Sequence, residues 1–173
     1  MNGFILLIPF LLVRFTILAH LNKDAIARAA KFHTMKGVEV IAYWIYQFSN
    51  VAIFVYLIFL EVKFEATWLF ACGVGVYLMG ILACIFAIIN FAKPSATGMN
   101  CNGIYRYSRN PMYVAYFIFF IGCALLTQSI ILGCVVGIFQ LSAHWIILSE
   151  ERWCIHQFGD AYKQYMKHVR RYI

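Results

Sequence analysis

The sequence predicts an all-α integral membrane protein with about five transmembrane helices, the last two forming a hairpin, and a cytoplasmic interfacial helix at the C-terminal end. Three observations carry this prediction. Hydrophobic residues make up 64% of the chain and charged residues 12%, which is too apolar for a soluble domain of 173 residues. Five apolar runs approach the ~20 residues that a spanning helix needs. Basic residues are concentrated in three segments outside these runs, and residues 1–173 leave room for a single domain.

The predicted spans cover 4–21, 38–60, 67–91, 111–126 and 130–149. The first has no basic start and no small-residue cleavage site, so we interpret it as a retained span rather than a signal peptide. Arg14 lies inside it and must reach the interface or face the other helices. The connection that follows can form a short interfacial helix at 25–32. Small residues in the third span allow a neighbouring helix to approach closely, namely Ala71, Gly73, Gly75 and Gly80.

The last two spans are separated only by Thr127, Gln128 and Ser129, which predicts a tight turn and a helical hairpin. Gly133 and Gly137 give the fifth span a G-x-x-x-G face that is typical of helix packing, within the hairpin or in a dimer. After the fifth span, Phe158 and Gly159 predict a helix end, and Asp160 is the predicted cap of the interfacial helix.

The basic residues predict the orientation of the chain. They cluster in the first connection, the third connection and the C-terminal tail, which all lie on one side of a five-span arrangement. By the positive-inside rule that side is cytoplasmic, so the N-terminus is predicted outside and the C-terminus inside. The net charge of +7 is therefore interpreted as a topology signal and an attraction to anionic lipid head groups, with no other sign of nucleic-acid binding.

The stretch 103–113 is polar, basic and aromatic between two apolar runs. Asn110 followed by Pro111 is typical of a helix start, whose first-turn N–H groups bind anions. Arg106 and Arg109 add positive charge, and tyrosine rings at 105, 107 and 113 could hold a cation or stack on a base. S-adenosylmethionine combines a carboxylate, a sulfonium cation and an adenine. The alternative is an ordinary interfacial helix start, since Arg and Tyr are enriched at membrane boundaries.

The order of these residues resembles a known group of enzymes. G-x-Y-x-x-S-R-N-P-M-Y at 103–113, then Glu150-Glu151 and F-G-x-x-Y-x-x-Y at 158–165, resembles the isoprenylcysteine carboxyl methyltransferase and phospholipid methyltransferase group of integral-membrane enzymes. The resemblance covers about 90–173. Many members have His at the position of Asn110. The isoprenylcysteine enzymes have Arg at the position of Ile146, and in those enzymes this Arg looks like a contact to the substrate.

The resemblance implies S-adenosylmethionine-dependent methyl transfer, with the cofactor enclosed by the loop before the fourth span and the tail after the fifth. It divides the chain into an N-terminal part, 1–89, and a cofactor-binding catalytic core, 90–173. The implied cofactor contacts are Asn90, Met99, Asn100, Tyr105, Asn110, Pro111, Met112, Tyr113 and Glu150.

Candidate catalytic groups for proton removal are Glu151, His144 and Arg109, of which Glu151 and His144 share a helical face with Gln140. No metal site is predicted. The expected acceptor is lipophilic and comes from the bilayer. It could be a lipid amine, a thiol, a prenylcysteine carboxylate or another small lipophilic molecule, and Ile146 in place of Arg disfavours the carboxylate. A small transporter and a non-catalytic membrane scaffold are the alternatives. The lack of an internal repeat disfavours the transporter. The oligomeric state is left open.

Overall fold

Helices account for nearly all of the regular structure. The computed structural model describes residues 1–21, 34–65, 68–95 and 97–173. The predicted interfacial helix at 25–32 lies outside these residues. The elements are a 3-10 turn (Gly3–Leu6), α1 (Leu7–Leu11), a π-helical segment (Leu12–Ile17), α2 (Leu18–Leu21), α3 (Val38–Phe59), α4 (Trp68–Ala92), a second 3-10 turn (Gly103–Arg106), α5 (Pro111–Thr127), α6 (Ile130–Phe158) and α7 (Asp160–His168).

The predicted all-helical architecture is confirmed for the described residues, which contain no named strand. The helices α3, α4 and α6 are long and apolar enough to cross a membrane. The other two apolar helices, Gly3–Ile17 and α5, are shorter. At 1.5 Å per residue, the 17 residues of α5 reach ~26 Å, slightly less than a ~30 Å hydrocarbon core. The count of five spans and their orientation therefore stay predictions.

The closest packing in the bundle joins α4 to α5 through two glycines. A Cβ atom added at Gly80 would lie 2.5 Å from the Cα of Phe119, and one added at Gly122 would lie 2.5 Å from the Cα of Tyr77. Real Cβ atoms do not approach backbone so closely, so only glycine permits this contact. The predicted close approach is thus confirmed at Gly80, and its counterpart Gly122 was not predicted from the sequence.

Other small residues differ in what they face. Gly73 is buried against α5, as predicted, whereas a Cβ at Gly75 would meet nothing within 4 Å. The same holds for Gly133 and Gly137, so within the described residues the G-x-x-x-G face of α6 packs against no other helix. Of the two alternatives for this face, packing within the hairpin is wrong because α6 turns another side towards the bundle, and packing in a dimer stays a prediction.

The tight turn between α5 and α6 is confirmed. Gln128 adopts the left-handed conformation (φ 49°, ψ 36°), and the Ser129 hydroxyl accepts a hydrogen bond from the backbone N–H of Leu132 at 3.2 Å. Although the two helices stay in contact, α5 packs mainly against α4 and α6 mainly against α3. The bundle therefore consists of two helix pairs, α4–α5 and α3–α6.

The helix α6 extends to Phe158, well past the predicted end of the fifth span at 149. The polar residues from 150 onward mark where the apolar run ends, and the helical backbone continues through them. Gly159, with φ 57°, ends α6 as predicted. Gly159 also occupies the N-cap position of α7, so the prediction that Asp160 is the cap is wrong by one residue, and Asp160 instead pairs with Lys163 at 2.9 Å.

An aromatic core joins the N-terminal segment to the two helix pairs. The ring of Phe10 stacks on Phe119 with centroids 4.7 Å apart, and Phe120 meets Phe139 edge-on at 5.5 Å. Backbone hydrogen bonds from Gly3 to Leu60 (2.7 Å) and from Val62 to Met1 (2.8 Å) fix the start of the N-terminal segment beside the end of α3. The segment then runs along the bundle towards the opposite end.

Candidate functional site

A cavity of about 390 Å³ lies at the end of the bundle where α5 begins. Its walls come from the N-terminal segment, α3, the end of α4, the loop before α5, the start of α5, the end of α6, and α7. The lining residues are Arg14, Tyr46, Phe91, Gly98, Met99, Asn100, Tyr105, Arg109, Asn110, Met112, Tyr113, Tyr116, Glu150, Glu151, Trp153, Cys154, Phe158, Tyr162 and Tyr165. The cavity thus gathers residues from almost the whole length of the chain.

Most of the residues predicted to contact a cofactor lie in this cavity, namely Met99, Asn100, Tyr105, Asn110, Met112, Tyr113 and Glu150. Pro111 and Asn90 are not among its lining residues. Pro111 is buried at the first position of α5, and the Asn90 side chain lies against Gly103, at which an added Cβ would clash with the Asn90 amide. Gly103 has φ +56°, so this position suits glycine for its conformation as well as for the space.

Only two of the three predicted catalytic residues lie at the cavity. Glu151 and Arg109 line the cavity, whereas His144 does not. The His144 Nδ1 atom lies 2.7 Å from the Tyr172 hydroxyl, two turns of α6 away from Glu151. The periodicity of α6 places both residues on one face, but only the last turns of that helix reach the cavity.

The start of α5 is positioned by its neighbours. Helix α5 begins at Pro111, as predicted, with Asn110 in the N-cap position. The Asn110 side chain makes no capping hydrogen bond, because its Nδ2 donates to the backbone oxygen of Arg171 at 3.1 Å. The first backbone hydrogen bond of the helix runs from Val114 to Asn110, so the N–H groups of Met112 and Tyr113 precede it, beside the cavity.

Glu150 is held in the cavity wall by a tyrosine. The Tyr113 hydroxyl donates to the Glu150 carboxylate at 2.8 Å. The ring of Tyr46, on α3, lies with its centroid 6.4 Å from that of Tyr113. Within the described residues, Glu150 forms no ion pair, and its side chain lines the cavity.

Glu151 is the centre of a buried ion network. Its carboxylate lies 3.0 Å from Nη2 of Arg109 and 2.8 Å from Nη2 of Arg171, whose Nε also donates to both carboxylate oxygens. The side chains of Glu151 and Arg109 are only 5% and 8% exposed, so water screens this pair very little. The hydrogen bonds to Glu151 raise the pKa of Arg171 above its ordinary value.

The C-terminal tail closes this end of the bundle against the loop before α5. The backbone N–H of Arg109 donates to the backbone oxygen of Arg170 at 2.9 Å, and the Ser108 hydroxyl donates to that of Arg171 at 3.4 Å. On α7, the Tyr165 hydroxyl donates to the backbone oxygen of Tyr105. Burial raises the pKa of Tyr165, which keeps this hydroxyl protonated as a donor.

Two polar atoms beside the cavity are buried without a hydrogen-bond partner among the described residues. They are Oδ1 of Asn100 and Nε of Arg109. A buried acceptor or donor of this kind costs free energy unless something completes it. Both atoms belong to residues that line the cavity, so a bound polar molecule could supply the missing partners.

The site also contains Arg14, Tyr46 and Tyr116, which no sequence motif predicted there. The available signal was the charge of Arg14 inside an apolar run, which predicted that it faces the bundle or reaches the interface. It faces the bundle: its guanidinium lies 5.1 Å from the ring centroid of Tyr116, and its Nη1 donates to the Tyr116 hydroxyl. No pattern in the sequence connects these positions to one another.

Comparison with known proteins bears directly on this region. The sequence model for the family described as phospholipid methyltransferase matches residues 62–161. No curated protein matches the chain significantly, and no solved structure does either. The matched residues include the loop before α5, all of α5 and all of α6, which supply most of the cavity wall. Because the match spans more than half of the 173 residues, the chain belongs to the phospholipid methyltransferase family.

Proposed function

We propose that this protein is a membrane methyltransferase that uses S-adenosylmethionine and methylates a lipophilic acceptor. The observation that carries the proposal is the cavity between the loop and the tail, within a family of methyltransferases. It combines a carboxylate without an ion-pair partner in the described part of the chain, an unsatisfied amide oxygen and several aromatic rings. A non-catalytic scaffold would have no need of an unsatisfied polar group in a buried cavity.

The residues present fit the cofactor. About 390 Å³ falls within the ~300–1,000 Å³ of small-molecule sites. The Asn100 oxygen could accept a hydrogen bond from an amino group, and the Glu150 carboxylate could hold a cation. The rings of Tyr105, Tyr162 and Tyr165 offer faces on which a base can stack. The N–H groups of the first turn of α5 suit a carboxylate.

When bound, the cofactor supplies a methyl group on a sulfonium, which becomes a neutral thioether after transfer. The protein's contribution is alignment and the exclusion of water. The tail and α7 provide the exclusion, since Tyr165 and Arg171 fasten them to the loop and to α6. Alignment rests on the Tyr113–Glu150 hydrogen bond, which fixes the carboxylate relative to the start of α5.

Proton removal needs no dedicated base if the acceptor is an amine, because desolvation in the cavity favours the neutral amine. Glu151 is neutralised by Arg109 and Arg171, and His144 lies outside the cavity. We therefore propose that Glu151 and Arg109 position the loop and the tail, and that Glu150 faces the reacting groups.

An amine or a neutral thiol is the acceptor that this site favours over a prenylcysteine carboxylate. Ile146, at the position where the isoprenylcysteine enzymes have Arg, is fully buried in the apolar core. Arg109 and Arg171 are both engaged by Glu151, so neither replaces that Arg in the structure described. A carboxylate brought to the methyl group would be desolvated beside Glu150 and repelled.

The test is calorimetric titration of S-adenosylmethionine into the detergent-purified protein. The wild type is expected to bind, and Glu150→Gln is expected to bind about tenfold to over a hundredfold more weakly, because a charge-assisted contact of ~1.5–3 kcal/mol is lost. Asp160→Asn is the matched control, since this carboxylate is exposed and outside the cavity. No binding by the wild type would overturn the proposal. Incubation with isotopically labelled cofactor and a membrane extract would then identify the acceptor by mass.

A further inference from the structure

Arg14 is a cation on the wall of the cavity, inside an apolar helical segment. It lies in the π-helical stretch Leu12–Ile17, a wide-turn geometry that is rare in proteins and often found at functional sites. Its contacts in the described part of the chain are with Tyr116, to whose hydroxyl it donates and over whose ring it lies. The guanidinium has five N–H donors, so this contact leaves most of its hydrogen-bonding capacity unused.

No carboxylate of the described residues neutralises Arg14. Of the two at the cavity, Glu151 pairs with Arg109 and Arg171, and Glu150 accepts from Tyr113. An unpaired charge within a membrane bundle is costly, and it persists where it serves a ligand. Arg14 is therefore the positive charge of the cavity that is available to a bound anion.

The position of Arg14 separates it from the predicted cofactor contacts. Those contacts come from the loop before α5, the start of α5 and the end of α6, within or beside the family match at 62–161. Arg14 lies outside that match and meets α5 at Tyr116, one turn further into the bundle than Tyr113. It thus lies deeper in the bundle than the predicted cofactor contacts at the start of α5.

We propose that Arg14 binds an oxyanion of the acceptor, a phosphate or a carboxylate that is not itself methylated and lies close to the group that is. Arg14 is then a specificity-determining residue, which selects acceptors with an acidic group over neutral ones. This inference rests on the proposed function, since it assigns a second subsite within the same cavity. Glu150 offers the amine a hydrogen-bond acceptor, so an acceptor with both an amine and an oxyanion matches both ends of the subsite.

The experiment measures binding rather than turnover, using protein in nanodiscs saturated with the product S-adenosylhomocysteine. The probes are three single-chain amphiphiles of equal chain length with an amine and a phosphate, an amine and a carboxylate, or an amine and a neutral spacer. We expect the wild type to bind one or both of the acidic amphiphiles about tenfold to a hundredfold more tightly than the neutral one, and Arg14→Met to lose this preference. The phosphate and carboxylate arms show which oxyanion fits.

Two further variants and one control keep the result interpretable. Arg14→Lys retains the charge and should retain part of the preference, and Tyr116→Phe should weaken it because Arg14 loses the hydroxyl that positions it. Both variants carry the test if Arg14→Met fails to fold. Lys63→Met removes an exposed charge at the other end of the bundle and should behave as wild type.

An equal loss for all three amphiphiles in the Arg14 variants would overturn the inference, as would a wild type without preference. A shift in the affinity for S-adenosylmethionine alone would assign Arg14 to the cofactor and overturn it too. A wild type that prefers the acidic amphiphiles but does not bind S-adenosylmethionine would refute the proposed function and leave an oxyanion site in place.

Discussion

Replacing Glu151 by Gln should lower the free energy of unfolding more than any other single change of charge at this end of the bundle. The Glu151 side chain is 5% exposed and neutralises Arg109, which is 8% exposed, as well as Arg171, which is 30% exposed. The substitution keeps the shape of the side chain but leaves the Arg109 charge buried without a counter-ion. Breaking a buried pair in this way costs about 3–5 kcal/mol.

The contacts of the network predict a ranking as well as a magnitude. Arg171→Met leaves Glu151 paired with Arg109, so it should cost less, about 1.5–3 kcal/mol for the lost charge-assisted hydrogen bonds. The double variant Arg109→Met/Glu151→Gln removes the two most buried charges of the network and should be more stable than Glu151→Gln alone.

The assay is reversible unfolding in mixed micelles, followed by circular dichroism, with the free energy of unfolding compared among the four proteins. Asp160→Asn is the control for the loss of one exposed carboxylate. A Glu151→Gln variant within about 0.5 kcal/mol of the wild type would refute the reasoning, because a surface charge would behave in that way.

Three other predictions concern topology, packing and the acceptor. With the other cysteines replaced, an impermeant thiol reagent added outside intact cells should label Gln128→Cys but not Cys101. The two positions lie at opposite ends of α5, and the charge bias puts Cys101 inside. The reverse labelling pattern would contradict the five-span arrangement. Gly80→Ala should lower the free energy of unfolding by about 1–3 kcal/mol because the added Cβ meets the backbone of α5. Gly75→Ala on the same helix meets no other atom and should raise it by up to about 1 kcal/mol. Similar effects of the two variants would argue against the α4–α5 contact. In competition for labelled S-adenosylmethionine, a lipid amine or a small thiol should be methylated faster than farnesylcysteine. The opposite order would show that another basic residue replaces the Arg that the isoprenylcysteine enzymes have at the position of Ile146.

Local patterns in the sequence were sufficient to predict most helix boundaries. The Asn110-Pro111 pair gave the start of α5, and α3 and α4 begin and end within one residue of the predicted spans. These features depend on hydrophobic run length and on the backbone preferences of single residues. The end of α6 at Phe158 was predicted from Gly159, although hydropathy alone ends the apolar span at about residue 149, where the helix leaves the apolar environment.

The assembled site depends on contacts that sequence periodicity does not encode. Arg171 meets Glu151 and Arg14 meets Tyr116 across separations of 20 and 102 residues, and only the packing of the whole bundle brings them together. The N-cap role of Asn110 was predicted from its propensity, but the tail offers its side chain a backbone oxygen instead. His144 shares a helical face with Glu151 and yet lies outside the cavity, because the cavity reaches only the last turns of α6.

The way in which the tail is held has a consequence for how this chain can change during evolution. Arg170 contributes its backbone oxygen to the contact with Arg109, and its side chain is exposed. Its neighbour Arg171 contributes both a backbone oxygen and the side chain that neutralises Glu151. Position 170 should therefore drift freely among related sequences that keep this fold. Position 151 should be retained wherever Arg109 is, because Arg109 would otherwise be buried without a counter-ion, whereas a change at position 171 still leaves Glu151 paired with Arg109.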